Sequence, residues 1–115
     1  MNKINRINSK NNELFYKSLF QNNLEIMLLI NPETSQIKDC NLSACNYYGY
    51  SYNKMLKLKI TDINVLTQEQ IINEMQFAKT KKRNRFYFKH RLSNGKIRDV
   101  EVTINCKFNC RIFFS

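Results

Sequence analysis

The chain has few of the residues that interrupt regular structure. Its 115 residues include two glycines, one proline and no tryptophan, which argues against a disordered or linker-rich protein. No apolar run approaches the roughly 20 residues needed to span a bilayer. The polar N-terminus, Met1–Asn12, lacks the apolar core of a signal peptide. We therefore predict one cytoplasmic domain, with no membrane insertion of this segment.

Acidic residues are also scarce. Nine Asp and Glu stand against nineteen Lys and Arg, so the formal net charge is +10. Such an excess suits a polyanionic partner, and its densest cluster is Lys79–Arg85. An Asn-, Lys- and Ile-rich composition produces the same excess, however, and cations are favoured at the end of a predicted helix. A nucleic-acid-binding domain is the less favoured interpretation, also because no strand carries a glycine-spaced aromatic motif.

Residues typical of metal or catalytic sites are few. There is one histidine, and Cys40, Cys45, Cys106 and Cys110 are spaced C-x4-C and C-x3-C, unlike the C-x2-C pairs of zinc sites. In a reducing cytosol these cysteines are expected to be small buried thiols. No nucleophile elbow, P-loop or H-E-x-x-H motif is present. We predict no metal site, no catalytic residues and no enzymatic activity.

The first half of the chain alternates between helical and strand patterns. Leu14, Phe15, Leu19 and Phe20 have helical spacing, which predicts an amphipathic helix over Glu13–Phe20. An apolar strand over Glu25–Asn31 ends at the turn sequence Asn-Pro-Glu-Thr, and a second strand follows over Gln36–Cys40.

A helical region comes next, from Asn41 to Leu58. Asn41 can cap its first helix, Gly49 can end that helix in a left-handed conformation, and Ser51 can cap the following short helix. Thr67-Gln68-Glu69-Gln70 fits a capping box and predicts a helix to about Lys82.

The second half alternates with a period of two, which predicts strands over Arg85–Leu92 and Ile97–Cys106. Asn94-Gly95 between them predicts a type I′ hairpin turn. Lys107–Asn109 is a predicted turn before a last strand, Cys110–Ser115. The order indicates an α+β domain with one antiparallel sheet and its helices mostly on one face.

The stretch Asn41–Ser51, NLSACNYYGYS, resembles the signature of the PAS family, which is roughly N-x-A-x-x-x-x-x-G-Y-S followed by a short helix. Asn31–Thr34 resembles the D-P-x-T-G turn of that family, and Ser93–Gly95 its K-D-G turn. Lys54 departs from the usual acidic residue, and the sequence reaches Ser115 without the usual D-I-T segment. We interpret the chain as a fragment of a longer signalling protein.

The resemblance implies a PAS-like five-stranded antiparallel sheet with helices on one face and an N-terminal amphipathic helix. It also implies a domain division: a flexible polar N-terminus over residues 1–12 and one sensor domain over residues 13–115. A C-terminal output domain, of the histidine kinase or diguanylate cyclase type, is expected in the full-length bacterial protein.

A PAS fold further implies a pocket between the sheet and the middle helices. Within it, His90 and Tyr48 are the most informative candidates, because each brings a polar group into an apolar setting. The predicted lining residues are Met27, Leu29, Cys45, Tyr48, Met55, Ile60, Ile71, Met75, Phe86, Phe88, His90 and Val102. Leu14, Phe15 and Phe20 are the candidates for a homodimer contact, because such apolar residues are seldom left in water.

Haem and flavin are both disfavoured. Haem-binding relatives usually place an axial histidine on the long helix, and Thr67–Lys82 has none. Asn105–Asn109 superficially resembles the flavin-binding N-C-R-F-L-Q motif, but it falls in a late strand and turn instead of the middle helix. We predict no cofactor.

Two functions remain open. The favoured hypothesis is a sensor module that binds a small ligand or a partner and relays a conformational change to its output domain. The alternative is a ligand-free PAS scaffold that mediates dimerisation.

Overall fold

The structure, a computed structural model, describes residues 13–15, 17–105 and 110–114, with side chains described only up to residue 104. The N-terminus predicted to be flexible, the predicted Lys107–Asn109 turn, and the side chains of Cys106 and Cys110 lie outside this description. The residues that form the candidate functional site all lie within the described range.

Five strands form one sheet in the described part of the chain. Their order is β2-β1-β5-β4-β3, and neighbouring strands are antiparallel. The strands are β1 (Ile26–Ile30), β2 (Ile37–Cys40), β3 (Arg85–Arg91), β4 (Ile97–Asn105) and β5 (Cys110–Phe114). Strand β5 therefore lies between the two hairpins β1–β2 and β3–β4.

Four helices connect β2 to β3. They are α1 (Leu42–Tyr48), α2 (Tyr52–Met55), α3 (Ile60–Ile63) and α4 (Gln68–Thr80). Residues 13–15 and 17–22 are also helical. Among the described helices, none is long and apolar enough to cross a membrane. Together with the sheet, the helices confirm the predicted α+β class.

Helix α1 begins and ends where the sequence predicts. The Asn41 side chain accepts a hydrogen bond from the Ala44 N–H at 3.0 Å, and Gly49 ends the helix with φ +81°. Asn41 also reaches β1: its Oδ1 accepts from the Met27 N–H, and its Nδ2 donates to the carbonyls of Asn23 and Glu25. This fully buried side chain thus joins the start of α1 to the start of β1.

The core lies between the helices and one face of the sheet. Because successive side chains in a strand point to opposite faces, Phe88 and His90 on β3 are buried together with Val100 and Val102 on β4. Tyr48 at the end of α1 is buried against the same face. Phe88, His90 and Val102, which the resemblance places at an internal pocket, therefore face the core.

The β3–β4 hairpin uses a different turn from the predicted type I′. That turn needs positive φ at both central residues, whereas of the pair only Gly95 has positive φ, at +88°. The Gly95 N–H donates to the Leu92 carbonyl at 2.9 Å, and the Leu92 N–H donates to the Lys96 carbonyl at 2.8 Å. The longer five-residue connection needs a single left-handed residue, which glycine supplies.

Helix α3 was not predicted as a separate element. Its four residues, Ile-Thr-Asp-Ile, are too few to show a helical period. The Lys59 N–H donates to the Asp62 carboxylate at 2.9 Å, and the Ile60 N–H donates to the Ser35 carbonyl at 2.9 Å. A local cap and a hydrogen bond to a residue that is distant in the sequence therefore hold this helix together.

Candidate functional site

A cavity of about 330 Å³ lies between the inner face of the sheet and helices α3 and α4. Its floor comes from β3 and β4, and its walls come from the two helices and the turn that follows β1. The lining residues are Ile30, Asn31, Pro32, Ser35, Ile60, Thr61, Asn64, Ile71, Met75, Phe88, His90, Val102 and Ile104. Most of these side chains are apolar, with a few polar groups among them, which is the usual make-up of a small-molecule site.

His90 is the only ionisable residue in this lining. It is buried, with 1% of its surface exposed. Burial lowers the pKa of its imidazole from 6.5 to about 4, because the charged form loses its hydration. At neutral pH the ring is therefore uncharged, with one nitrogen that donates and one that accepts.

Tyr48 fixes the orientation of His90. The Tyr48 hydroxyl and the His90 Nδ1 are 2.8 Å apart in a hydrogen bond between α1 and β3. Burial raises the pKa of Tyr48 well above its usual 10, so its hydroxyl stays protonated. The Tyr48 carbonyl also accepts from the Ser93 N–H at 2.8 Å. The end of α1 is thereby attached to the β3–β4 hairpin at two points.

Helix α4 is held beside the cavity by Glu74. One carboxylate oxygen accepts from Arg83 at 3.1 Å, and the other accepts from the Tyr87 N–H on β3 at 2.7 Å. Ile71 and Met75 on this helix then face the cavity. The capping box at its start is confirmed: the Thr67 hydroxyl accepts from the Gln70 N–H, and the Gln70 side chain accepts from the Thr67 N–H.

A family model described as "PAS domain" matches residues 14–83, more than half of the chain. The chain belongs to the PAS domain family. The diguanylate cyclase DgcM of Escherichia coli K12 is 34% identical over 91 residues, covering 76% of this chain and 22% of that protein. The chain thus spans less than a quarter of this relative's length.

Solved structures agree with the PAS fold. A PAS domain from a two-component sensor histidine kinase superposes with a TM-score of 0.70 and 21% identity, covering 93% of this chain and 97% of that one. The PAS domain of an HTR-like protein from Haloarcula marismortui gives a TM-score of 0.65 and 18% identity, covering 98% and 94%. At these identities the likeness concerns the fold.

The cavity of this PAS domain contains half of the residues predicted to line a pocket. They are Ile60, Ile71, Met75, Phe88, His90 and Val102. Phe86 lies beside it, in an open groove that it shares with Met75. Tyr48 contacts His90 from behind. That any of them binds a ligand stays a prediction.

Four predicted residues lie elsewhere. Met27 and Leu29 line a depression on the other face of the sheet, next to Phe20. Their neighbours on β1, Leu28 and Ile30, point inward instead. The β1 sequence is apolar at every position, so it has no alternation to indicate which side chains face the helices.

The remaining two of the four are Cys45 and Met55. Met55 is fully buried within the core, and Cys45 packs beside Cys40 at the start of α1. Neither belongs to the cavity lining.

Sequence reasoning missed the polar rim of the cavity, formed by Asn31, Ser35, Thr61 and Asn64. The sequence could have indicated Asn31 and Ser35, because they lie in and next to the turn that is predicted directly after β1. Asn64 comes near His90 through a backbone bridge, which no local pattern indicates.

Within the described residues, no group of three or more His, Cys, Asp or Glu side chains is arranged to hold a metal ion. The motif resembling a flavin site, Asn105–Asn109, lies outside the described side chains. The absence of a cofactor stays a prediction.

Proposed function

We propose that this PAS domain is a sensory module that binds a small, uncharged and largely apolar molecule in the cavity beside His90. The observation that carries the proposal is the combination of a cavity of about 330 Å³ with one neutral, buried imidazole in its wall. Ligand pockets commonly range from about 300 to 1,000 Å³, so the ligand is at the small end of this range.

The lining favours an uncharged ligand. A charged group in this cavity would lose its hydration without meeting an opposite charge, which is costly. The imidazole and the amides of Asn31 and Asn64 supply neutral hydrogen-bonding groups. A compact molecule with one or two polar atoms matches this arrangement.

We further propose that binding biases a linked output domain of the histidine kinase or diguanylate cyclase type. The similarity to DgcM, a diguanylate cyclase, supports this part of the proposal. A ligand can shift the conformational equilibrium only by the difference between its affinities for the two states. The proposed cytoplasmic module, residues 13–115, includes the five-stranded sheet and the N-terminal amphipathic helix, and it catalyses no reaction itself.

Native mass spectrometry of freshly purified protein, with an absorbance spectrum of the same sample, tests the ligand proposal. We expect a retained small-molecule mass in the wild type. Ile71→Trp, which fills the cavity, should lose that mass. Ile97→Trp is the matched control, because Ile97 is 50% exposed at the start of β4, and it should keep the mass. If each of the three proteins showed only its own ligand-free mass, also after incubation with a panel of small metabolites, the proposal would be contradicted.

A ligand-free dimerisation scaffold is the second candidate. It is favoured by one observation: Leu14 and Phe15 in the N-terminal helical segment are 65% and 60% exposed. Phe20, the third predicted contact, is half-buried beside the outer face of the sheet. An apo homodimer would support this function.

The basic cluster gives weaker support to nucleic-acid binding. Two of its five cations are paired, Arg83 with Glu74 and Arg85 with Glu101. The Arg83 guanidinium also lies over the rings of Phe77 and Tyr87. Part of this charge is therefore used within the domain, and we propose no nucleic-acid partner.

A further inference from the structure

Two free cysteines lie side by side where β2 passes into α1. The sulfur atoms of Cys40 and Cys45 are 3.6 Å apart. Cys40, the last residue of β2, is fully buried, whereas Cys45 on α1 is half-buried. The sequence spacing alone does not predict this contact.

Their closeness follows from the way α1 begins. Since Asn41 is the N-cap, Cys40 is the residue before the cap and Cys45 is the fourth residue of the helix. Side chains at these two positions often pack together as a hydrophobic staple that sets the entry angle of the chain. In this domain both staple positions carry a thiol.

The backbone on both sides of this pair is firmly held. The Asn41 side chain makes hydrogen bonds to the Ala44 and Met27 N–H groups and to the carbonyls of Asn23 and Glu25. The two sulfur atoms must approach from 3.6 Å to the bonding distance of about 2.05 Å. Rotation of the two cysteine side chains supplies such a shift more readily than movement of this backbone.

We propose that Cys40 and Cys45 form a reversible modification site: a hydroperoxide oxidises the pair to an intramolecular disulfide that fastens β2 to α1. This site is independent of ligand binding in the cavity.

The reaction begins at the more accessible sulfur. The Cys45 thiolate attacks the peroxide, so that the O–O bond breaks, a sulfenic acid forms on Cys45 and the other oxygen leaves as water or an alcohol. The Cys40 sulfur then attacks the Cys45 sulfur. The S–S bond forms, the S–O bond breaks, and the hydroxide leaves as water with the Cys40 proton. Two thiols are oxidised and one peroxide is reduced.

The environment of Cys40 assigns it to the second step. Burial and the contact with Cys45 raise the pKa of Cys40 to about 12, so it remains a thiol at neutral pH. A buried thiol reacts slowly with an external oxidant, but it lies next to the sulfenic acid once that has formed.

The covalent link would act on α1, the helix whose Tyr48 contacts His90 of the cavity lining. Cys45 and Tyr48 lie one turn apart on α1, and Tyr48 is hydrogen-bonded to His90. In the reduced form the staple is a packing contact, which can open when α1 moves. In the oxidised form the start of α1 cannot separate from the end of β2.

Peptide mapping of the whole chain tests the site. The protein is titrated with hydrogen peroxide, quenched with catalase, denatured in the presence of N-ethylmaleimide and digested with trypsin. Cleavage after Lys38 and Lys54 leaves both cysteines in one peptide, 39–54, whereas Cys106 and Cys110 fall in the separate peptides 99–107 and 108–111. We expect peptide 39–54 to become two hydrogen atoms lighter, to lose both alkylation sites and to recover them after dithiothreitol.

Single variants check the order of the steps. In Cys40→Ser, oxidation should stop at a Cys45 sulfenic acid, which dimedone traps. In Cys45→Ser, Cys40 should stay reduced at the peroxide concentration that oxidises the wild type. Where a serine variant does not fold, the alanine variant replaces it, and the wild-type map stands without either.

Three results would overturn the proposal. Peptide 39–54 could retain both thiols at every peroxide concentration that leaves the protein folded. It could gain oxygen atoms instead of losing hydrogen, or it could lose hydrogen only in disulfide-linked dimers. Each result would leave Cys40 and Cys45 as a packing staple only.

Discussion

At the scale of single residues, His90 combines burial with a charge that can change. Its imidazole is neutral because burial removes the hydration of the cationic form, and its Nδ1 is hydrogen-bonded to the protonated hydroxyl of Tyr48. Because the folded chain keeps this ring neutral, the free energy of unfolding decreases only when the pH falls.

We predict that acid destabilises the domain through this residue. The pKa of His90 is about 4 in the folded chain and 6.5 in the unfolded chain, so the unfolded chain takes up the proton first. The free energy of unfolding should decrease as the pH falls from about 6.5 to about 4, by an amount on the order of 3 kcal/mol. Urea unfolding at several pH values measures this slope.

His90→Gln is the control, because glutamine keeps a donor and an acceptor but does not titrate. The chain has one histidine, so the difference between wild type and variant isolates this group. Equal pH slopes for both proteins would show that the imidazole is not kept neutral by the fold.

At the scale of elements, the junction between α1 and the β3–β4 hairpin depends on Gly49. Its φ is +81°, and a Cβ atom at this position would overlap the Ser93 hydroxyl oxygen. Gly95 has a similar φ of +88°, with nothing near the position of its missing Cβ. The two glycines therefore separate backbone strain from crowding.

We predict that Gly49→Ala is more destabilising than Gly95→Ala. The left-handed conformation costs an alanine roughly 1–2 kcal/mol at either site, and Gly49→Ala must also displace Ser93. Ser93→Ala in the Gly49→Ala background should recover the additional loss. Thermal or urea unfolding of the four proteins provides the comparison, and equal losses for both glycine variants would contradict a tight junction.

Elements with a clear local signal were predicted well. The β3 and β4 strands alternate between apolar and polar residues, and the caps at Asn41 and Thr67 mark helix starts. In contrast, β1 is apolar throughout, so Met27 and Leu29 were assigned to the wrong side of the sheet. Helix α3 has only four residues, and besides its local cap it depends on a hydrogen bond to Ser35, which is distant in the sequence.

The candidate site was predictable only in part for the same reason. Phe88, His90 and Val102 follow from strand alternation, but their neighbours in the cavity wall arrive through the packing of α3 and the turn after β1. The contact between Tyr48 and His90 joins residues 42 positions apart. Such a distant pair is determined by the topology of the whole domain.

At the scale of the whole molecule, the exposed apolar residues at the start of the described chain predict self-association. We expect the wild type to be a dimer by light scattering coupled to size exclusion. Leu14→Glu with Phe15→Glu should shift it to a monomer, because buried carboxylates in an apolar contact are costly. Leu42→Glu is the matched control, since Leu42 on α1 is 62% exposed. A monomeric wild type at high concentration would refute the dimer.

The strand order has a consequence for how the chain folds. The β1–β2 and β3–β4 hairpins each join neighbours in sequence, but β5 lies between them and pairs with both β1 and β4. Until β5 has left the ribosome, β1 and β4 each have an unpaired edge, and such edges can pair with other chains. Because β5 follows the other four strands in the sequence, all of them must be synthesised before the sheet can close.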